Sequence, residues 1–258
     1  MSVRDKSVII TGAAQGHGRS IANAFASEGA RLALVDIAPM DQVVSECEAY
    51  EADVMAIPTD LREPESVRSM VEQVHKRHGK IDVLINDAGI VTHFRYGVPN
   101  WPMIADMDPA FFDNVIRTNL FGTFLTTKFT LPYMQAQGAG HIINFGQGGV
   151  GGGPRAGSIG SAVYGTSKVA IRAFTQNVAA EVQKDGICVM SFGPGGPGAV
   201  KGHDLDSLPP EQVRTLAAEI HMDLGSHLVM LAEAPMEFTG RMVGVREGKL
   251  VLNSDEKA

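Results

Sequence analysis

Tyr164 and Lys168 stand four residues apart in the stretch Tyr-Gly-Thr-Ser-Lys, inside a segment that reads as a long helix. At that spacing a helix lays the phenol and the ammonium on one face, within reach of a single ligand. A free Tyr ionises near pH ~10, and each unit of lowering reflects ~1.4 kcal/mol of extra stabilisation of the phenolate, which a fixed cation can supply. A phenol tuned in this way takes or gives a hydroxyl proton near neutral pH. Taken alone the same spacing also describes a solvated helix face, so the chemistry needs other elements to support it.

The first of these is glycine-rich. Ser7 to Thr11 is a β-branched run suited to a strand buried on both faces, and Gly12-Ala-Ala-Gln-Gly16-His17-Gly18 follows it. From Arg19 to Gly29 the apolar stripe Ile21, Ala22, Phe25, Ala26 predicts a helix. Strand, glycine turn and helix in that order leave backbone N–H groups at a helix start, where a pyrophosphate can sit against the positive end of the dipole. An ordinary tight turn is the plainer alternative. Arg31 to Asp36 reads as the second strand, and an acid roughly 20 residues after such a turn is placed to accept hydrogen bonds from ribose hydroxyls and to repel a 2′-phosphate. The expected cofactor is therefore NAD, with a solvated strand-end acid as the competing view.

The remaining elements alternate. A short polar helix over Asp41 to Tyr50 precedes a strand over Val54 to Pro58, with Asp60 just beyond it. A helix from Pro64, marked by Val67, Met70, Val71 and Val74, stops at Gly79, and a strand over Ile81 to Ile85 runs into Asn86-Asp87-Ala88-Gly89. The stretch from Ile90 to Met107 has no clear period. His93, Phe94, Tyr96, Trp101 and Met103 in it suit either a substrate-pocket wall or a loop packed on itself. A helix over Pro109 to Gln137 carries Asn119, a mildly poor helix residue that invites a special reason. Strands follow at Gly140 to Phe145, Ile187 to Phe192 and Arg241 to Val245, with helices over Ser161 to Lys184 and Pro209 to Glu233 between them. Such alternation predicts an α/β fold: a doubly wound, Rossmann-type parallel sheet of about seven strands with helices on both faces, as a single dinucleotide-binding domain over residues 1–258.

The balance of 22 Lys+Arg against 29 Asp+Glu gives a net charge of -7, which argues against binding nucleic acid through its phosphates. Two cysteines, Cys47 and Cys188, make neither a metal pattern nor a disulfide framework, so no metal is expected and a reducing compartment is the simpler assumption. No apolar run approaches the ~18 residues of a membrane span, and the chain enters its first strand within a few residues, leaving no room for a signal peptide. A soluble cytoplasmic protein is expected.

Together these residues resemble the short-chain dehydrogenase/reductase family over essentially the whole chain. The family's T-G-x-x-x-G-x-G turn is matched by Thr11, Gly12, Gly16 and Gly18, and its N-N-A-G element, with one change, by Asn86-Asp87-Ala88-Gly89. Asn119 looks like the family's helix Asn, Tyr164 and Lys168 like its Y-x-x-x-K pair, Pro194-Gly195 like its P-G turn, and Thr239-Gly240 like the T-G before the last strand. The resemblance implies hydride transfer between a secondary alcohol or ketone and NAD. Tyr164 would be the acid/base, Lys168 would hold the nicotinamide ribose, and Asn119 would hold a water linking Lys168 to solvent. It further implies cofactor contacts from Thr11, Gly12, Gly16, His17, Gly18, Asp36, Asp60, Leu61, Asn86, Ala88, Gly89, Pro194 and Gly195, with Asp60 at the adenine. Relatives are commonly homotetramers built through two long helices, so a homo-oligomer, tetramer or dimer, is implied.

Two positions depart from the pattern. The family's catalytic Ser ends the fifth strand, where Gln147 follows Ile142-Ile143-Asn144-Phe145-Gly146. Gln can donate an amide N–H to a carbonyl but lacks a hydroxyl, and losing one such donor costs ~3 to 4 kcal/mol in the transition state. Ser158 or Ser161 of the glycine-rich stretch is a conceivable substitute, Ser161 also suiting a helix cap. The Thr expected after the P-G turn is replaced by Gly196-Pro197-Gly198-Ala199-Val200. An alternative reading follows, a dinucleotide-binding protein with weak or no dehydrogenase activity that acts as a sensor or partner subunit.

Overall fold

Each central strand sends alternate residues to opposite sides. In the computed structural model, which describes residues 3–90, 102–146, 162–193, 224–246 and 248–252, the strands are β1 (Ser7–Thr11), β2 (Arg31–Asp36), β3 (Val54–Pro58), β4 (Val83–Asn86), β5 (Gly140–Phe145), β6 (Ile187–Phe192), β7 (Met242–Arg246) and β8 (Lys249–Leu252). Val8, Ile10, Leu32, Leu34, Val83, Ile85, Ile143 and Met190 enter one apolar core, while Ile9, Ala33, Val35, Leu84, Ile142 and Val189 enter another. This period of two, apolar on both faces, is why the middles of the runs are apolar and why helices must cover both sides.

On the first face lie α1 (Gly16–Ser27), α2 (Asp41–Glu48) and the helical residues 224–231, contributing Phe25, Val43, Cys47 and Leu228. On the second lie α3 (Pro64–His78), α5 (Gly122–Gln137) and α6 (Ala162–Val182), contributing Met70, Val74, Leu125, Met134 and Val178. The strand order is β3-β2-β1-β4-β5-β6-β7-β8, parallel throughout except that β8 runs antiparallel to β7. The order reverses between β1 and β4, where Thr11 pairs with Asn86 at the carboxyl ends, so the ligand crevice of an open α/β sheet falls there.

The doubly wound α/β architecture is as expected, with two differences. The sheet has eight strands rather than about seven, because the chain turns at Gly248 and adds Lys249–Leu252 as an edge. The helix expected over Pro109 to Gln137 is α4 (Pro109–Ile116) and α5 joined by a π-helical turn at Arg117–Phe121. Of the helix expected over Pro209 to Glu233, the part before residue 224 lies outside the described residues, as do His93, Phe94, Tyr96 and Trp101. No helix among the described residues is long and apolar enough to cross a membrane, and no described cluster of His, Cys, Asp and Glu could hold a metal.

Candidate active site

The crevice is built from the turns that follow β1, β4 and β5. Gly12 has φ +74, and a Cβ there would lie 2.8 Å from the Ala88 Cα, so only glycine lets the turns after β1 and β4 approach. Thr11 locks the same approach, its Oγ1 accepting from Ala88 N at 3.1 Å and donating to Ile85 O at 3.3 Å. Gly18 packs in the first turn of α1, where a Cβ would stand 2.1 Å from Gly12 O. Gly16 is different, since its φ is +57 and a Cβ there would meet nothing within 4 Å among the described residues. The Gln15 side chain makes no capping hydrogen bond, and no acid occupies the first turn of α1. Open space before uncapped helix amides fits a phosphate, so the described residues fit a dinucleotide.

Beyond that turn, Asp36 ends β2. Its Oδ2 accepts from Ala14 N and its Oδ1 from Ala38 N, both at 3.0 Å, which fixes the carboxylate against the glycine turn. Asp60 is occupied differently. Its carboxylate pairs with Arg62, with Nη2 to Oδ2 at 2.6 Å and the Arg62 backbone N to Oδ1 at 2.9 Å, and the guanidinium holds it below the usual carboxylate range. Arg62 Nη1 also reaches Asn114 Oδ1 at 2.8 Å. The Leu61 side chain is buried in the second core, against Gly122.

Asn86 belongs to a buried polar chain. Thr126 Oγ1 donates to its Oδ1 at 2.7 Å, its Nδ2 donates to Asn144 Oδ1 at 2.8 Å, and Asn144 Nδ2 donates to Thr175 Oγ1 at 3.0 Å. That chain ties α5, β4, β5 and α6 together and commits the Asn86 amide to the frame beside the crevice. Asn119 has a similar duty. Sitting in the π-helical turn, its Oδ1 accepts from Ile90 N at 2.7 Å and its Nδ2 donates to Ile90 O at 3.1 Å and to Ser167 Oγ at 3.1 Å. The special reason for an Asn there is therefore visible: it clamps the chain leaving β4 to the helix of Tyr164 and Lys168. π-Turns of this kind gather at functional sites.

Tyr164 and Lys168 share one face of α6, the ammonium 5.8 Å from the centre of the phenol ring. Lys168 is buried, and its Nζ donates to Phe145 O at 2.9 Å. Burial pushes its pKa down to about 8, with Asp87 opposing, and pushes the Tyr164 phenol up to about 12, with Asp87 adding to the rise. Burial and Asp87 both oppose the phenolate here, so positive charge beyond that of the described residues is needed to favour it.

Asp87 is the residue the sequence reading passed over, although the departure from N-N-A-G marked it. Its Oδ1 stands 3.7 Å from His17 Nδ1, and the His17 ring stacks over Phe145 at 6.0 Å between centroids. Ala88 and Gly89 continue the same turn, Gly89 lying against the Asn119 amide. Ser167 was also missed, since nothing in its spacing distinguishes it. Gln147, Ser158, Ser161, Pro194 and Gly195 lie outside the described residues.

A family model for short chain dehydrogenases matches residues 6–202. The chain is 28% identical over 263 residues to 3-oxoacyl-[acyl-carrier-protein] reductase FabG of Thermotoga maritima, covering 98% of this chain and 100% of that protein. It resembles the crystal structure of a short-chain dehydrogenase/reductase from Burkholderia xenovorans with TM-score 0.74 and 26% identity, over 93% of this chain and 94% of that one. A metagenomic short-chain oxidoreductase solved in complex with NADP matches with TM-score 0.66 and 25% identity, over 86% and 92%. Glycine turn, topological switch point, Asn clamp and Tyr–Lys face converge with these likenesses: the chain belongs to the short-chain dehydrogenase/reductase family of oxidoreductases, which bind a nicotinamide dinucleotide.

Proposed function

We propose that the protein is an NAD-dependent oxidoreductase that interconverts a secondary alcohol and a ketone, acting as one domain over residues 1–258. The observation that carries the reading is the joining of Tyr164 and Lys168, through Asn119 and Ser167, to the turn beside the open Gly16. When bound, the dinucleotide supplies or accepts the hydride. Tyr164 gives its phenol proton to the ketone oxygen or, as phenolate, takes the alcohol proton. Lys168 holds the nicotinamide ribose and keeps positive charge beside the phenol. Asn119 holds a water that links Lys168 to solvent, its own side chain being committed to Ile90 and Ser167.

NAD rather than NADP is supported by Asp36, whose carboxylate two backbone amides fix at the end of β2. Because a solved relative holds NADP, the discrimination needs its own measurement. NADH should bind more tightly than NADPH, and equal affinities in a fluorescence titration would contradict the assignment. A homo-oligomer is part of the reading, supported by exposed Phe124 on α5 beside Phe174 on α6, and so is the cytoplasm, supported by the free thiols of Cys47 and Cys188. The decisive variant is Tyr164→Phe, expected to lower alcohol oxidation by about 10²- to 10⁴-fold while keeping NADH binding. Retained oxidation removes Tyr164 from the mechanism. Gln147, in place of the expected Ser, favours the second reading, a dinucleotide-binding sensor or partner subunit. A panel of secondary alcohols that yields no reduced cofactor would select that reading.

A further inference from the structure

Asp87 introduces a carboxylate where the family pattern has an amide. The side chain is only 10% exposed and lies 3.7 Å from His17 Nδ1, on the turn suited to phosphate. The Phe145 ring against which His17 stacks belongs to the residue whose carbonyl accepts Lys168 Nζ. The carboxylate is therefore enclosed between the glycine turn and the Tyr164–Lys168 face. Its charge acts on both groups, adding to the rise that burial causes at Tyr164 and opposing the fall that burial causes at Lys168.

A carboxylate in this place cannot help to hold a pyrophosphate, because like charges repel. It can favour a cation, and the ring of the oxidised dinucleotide carries one positive charge that the reduced ring lacks. The two redox forms share adenosine, pyrophosphate and both riboses, so every other effect of Asp87 on binding cancels in the ratio of their dissociation constants. We infer that Asp87 is a specificity-determining residue for redox state, tightening NAD⁺ relative to NADH in this crevice. The inference rests on reading the crevice as a nicotinamide site. One unit charge acting across a partly screened site several ångströms wide is worth on the order of tenfold in that ratio. For a two-electron couple, tenfold corresponds to about 30 mV. Tighter NAD⁺ lowers the potential of the bound couple, so NADH held here is a stronger hydride donor and the site leans towards carbonyl reduction.

The experiment measures dissociation constants of NAD⁺ by calorimetry and of NADH by fluorescence at one ionic strength, for the wild-type protein and for Asp87→Asn. The ratio Kd(NADH)/Kd(NAD⁺) is expected to fall about tenfold in the variant. His17→Lys, which sets a permanent cation beside Asp87, should move the ratio in the same direction and carries the test if Asp87→Asn does not fold. An unchanged ratio with both forms still bound overturns the inference and leaves the dinucleotide reading standing. Failure of the wild-type protein to bind either form overturns both.

Discussion

The two edges of the sheet hold similar residues and put them to different ends. At the amino edge, Ser7 Oγ meets His78 Nδ1 at 2.8 Å, and His78 Nε2 lies 3.9 Å from Asp53 Oδ2. Serine, histidine and aspartate in a row are the ingredients of nucleophilic catalysis. Yet Ser7 is fully buried at the head of β1, its N–H donating to Asp82 Oδ2 at 2.7 Å, and no substrate can reach its hydroxyl. Gln137 closes the same edge, bonding both Ile81 N and Ile81 O at 2.9 Å. At the carboxyl edge, strand ends and the start of α1 surround the open position at Gly16. Residue type does not make a site. Strand direction does, because it decides where helix N-termini converge.

That contrast fails if an amino-edge change stops turnover, or if a carboxyl-edge catalytic change merely unfolds the protein. The largest effect is expected from Lys168→Met, which should lower turnover by on the order of 10²- to 10³-fold, read by reduced-cofactor absorbance, without lowering the thermal midpoint. Asn86→Leu is expected to cost ~2 to 3 kcal/mol in urea unfolding, because the Asn144 amide and the Thr126 hydroxyl lose a buried partner. Ser7→Ala should cost ~1 kcal/mol by the same assay and leave turnover unchanged. Turnover lost in that variant would give the amino edge a role in catalysis.

The smallest effect concerns pH. Burial holds the His78 pKa below its ordinary value of 6.5, so the unfolded chain binds the proton first as pH falls. Stability from this group is therefore complete above 6.5 and drains away below it. Urea midpoints on the two sides of that value should differ in this direction, and His78→Gln should flatten the difference. Burial lowers His141 too, and that group supplies the slope that remains.

Much of the frame was legible because strands covered on both faces must be mostly apolar, and runs such as Val8-Ile-Ile10 and Leu84-Ile85 have no other comfortable reading. The Gly79 stop and the Pro64 start of α3 follow from helix-end chemistry in the same way. The edge strand Lys249–Leu252 was not legible, being too short for its pairing to show before its partner is known. Among the site residues, the chain names Tyr164 and Lys168 but not the balance between them, since desolvation depends on what closes over α6. It marks Asp87 as a substitution and says nothing of His17 beside it, because that meeting joins turns 70 residues apart (Asp87 minus His17). Asn119 drew notice for poor helix propensity, and its clamp on Ile90 supplies the cause.

The π-helical turn at Arg117–Phe121 has a consequence for how the chain can vary in length. Each residue added to a helix rotates all that follows by about 100°. Here the preceding segment seats Val115 beside Val163, and the following one aims Thr126 at Asn86 and Met134 into the second core. A π-turn closes its hydrogen bonds five residues apart and so absorbs one residue more than an α-turn; deleting one residue between 117 and 121 is expected to leave both flanking faces in place and to cost the Asn119 clamp on Ile90 instead. Within the α-helical turns on either side the same loss would turn one packed face away from its partner, so the molecule keeps its spare residue here.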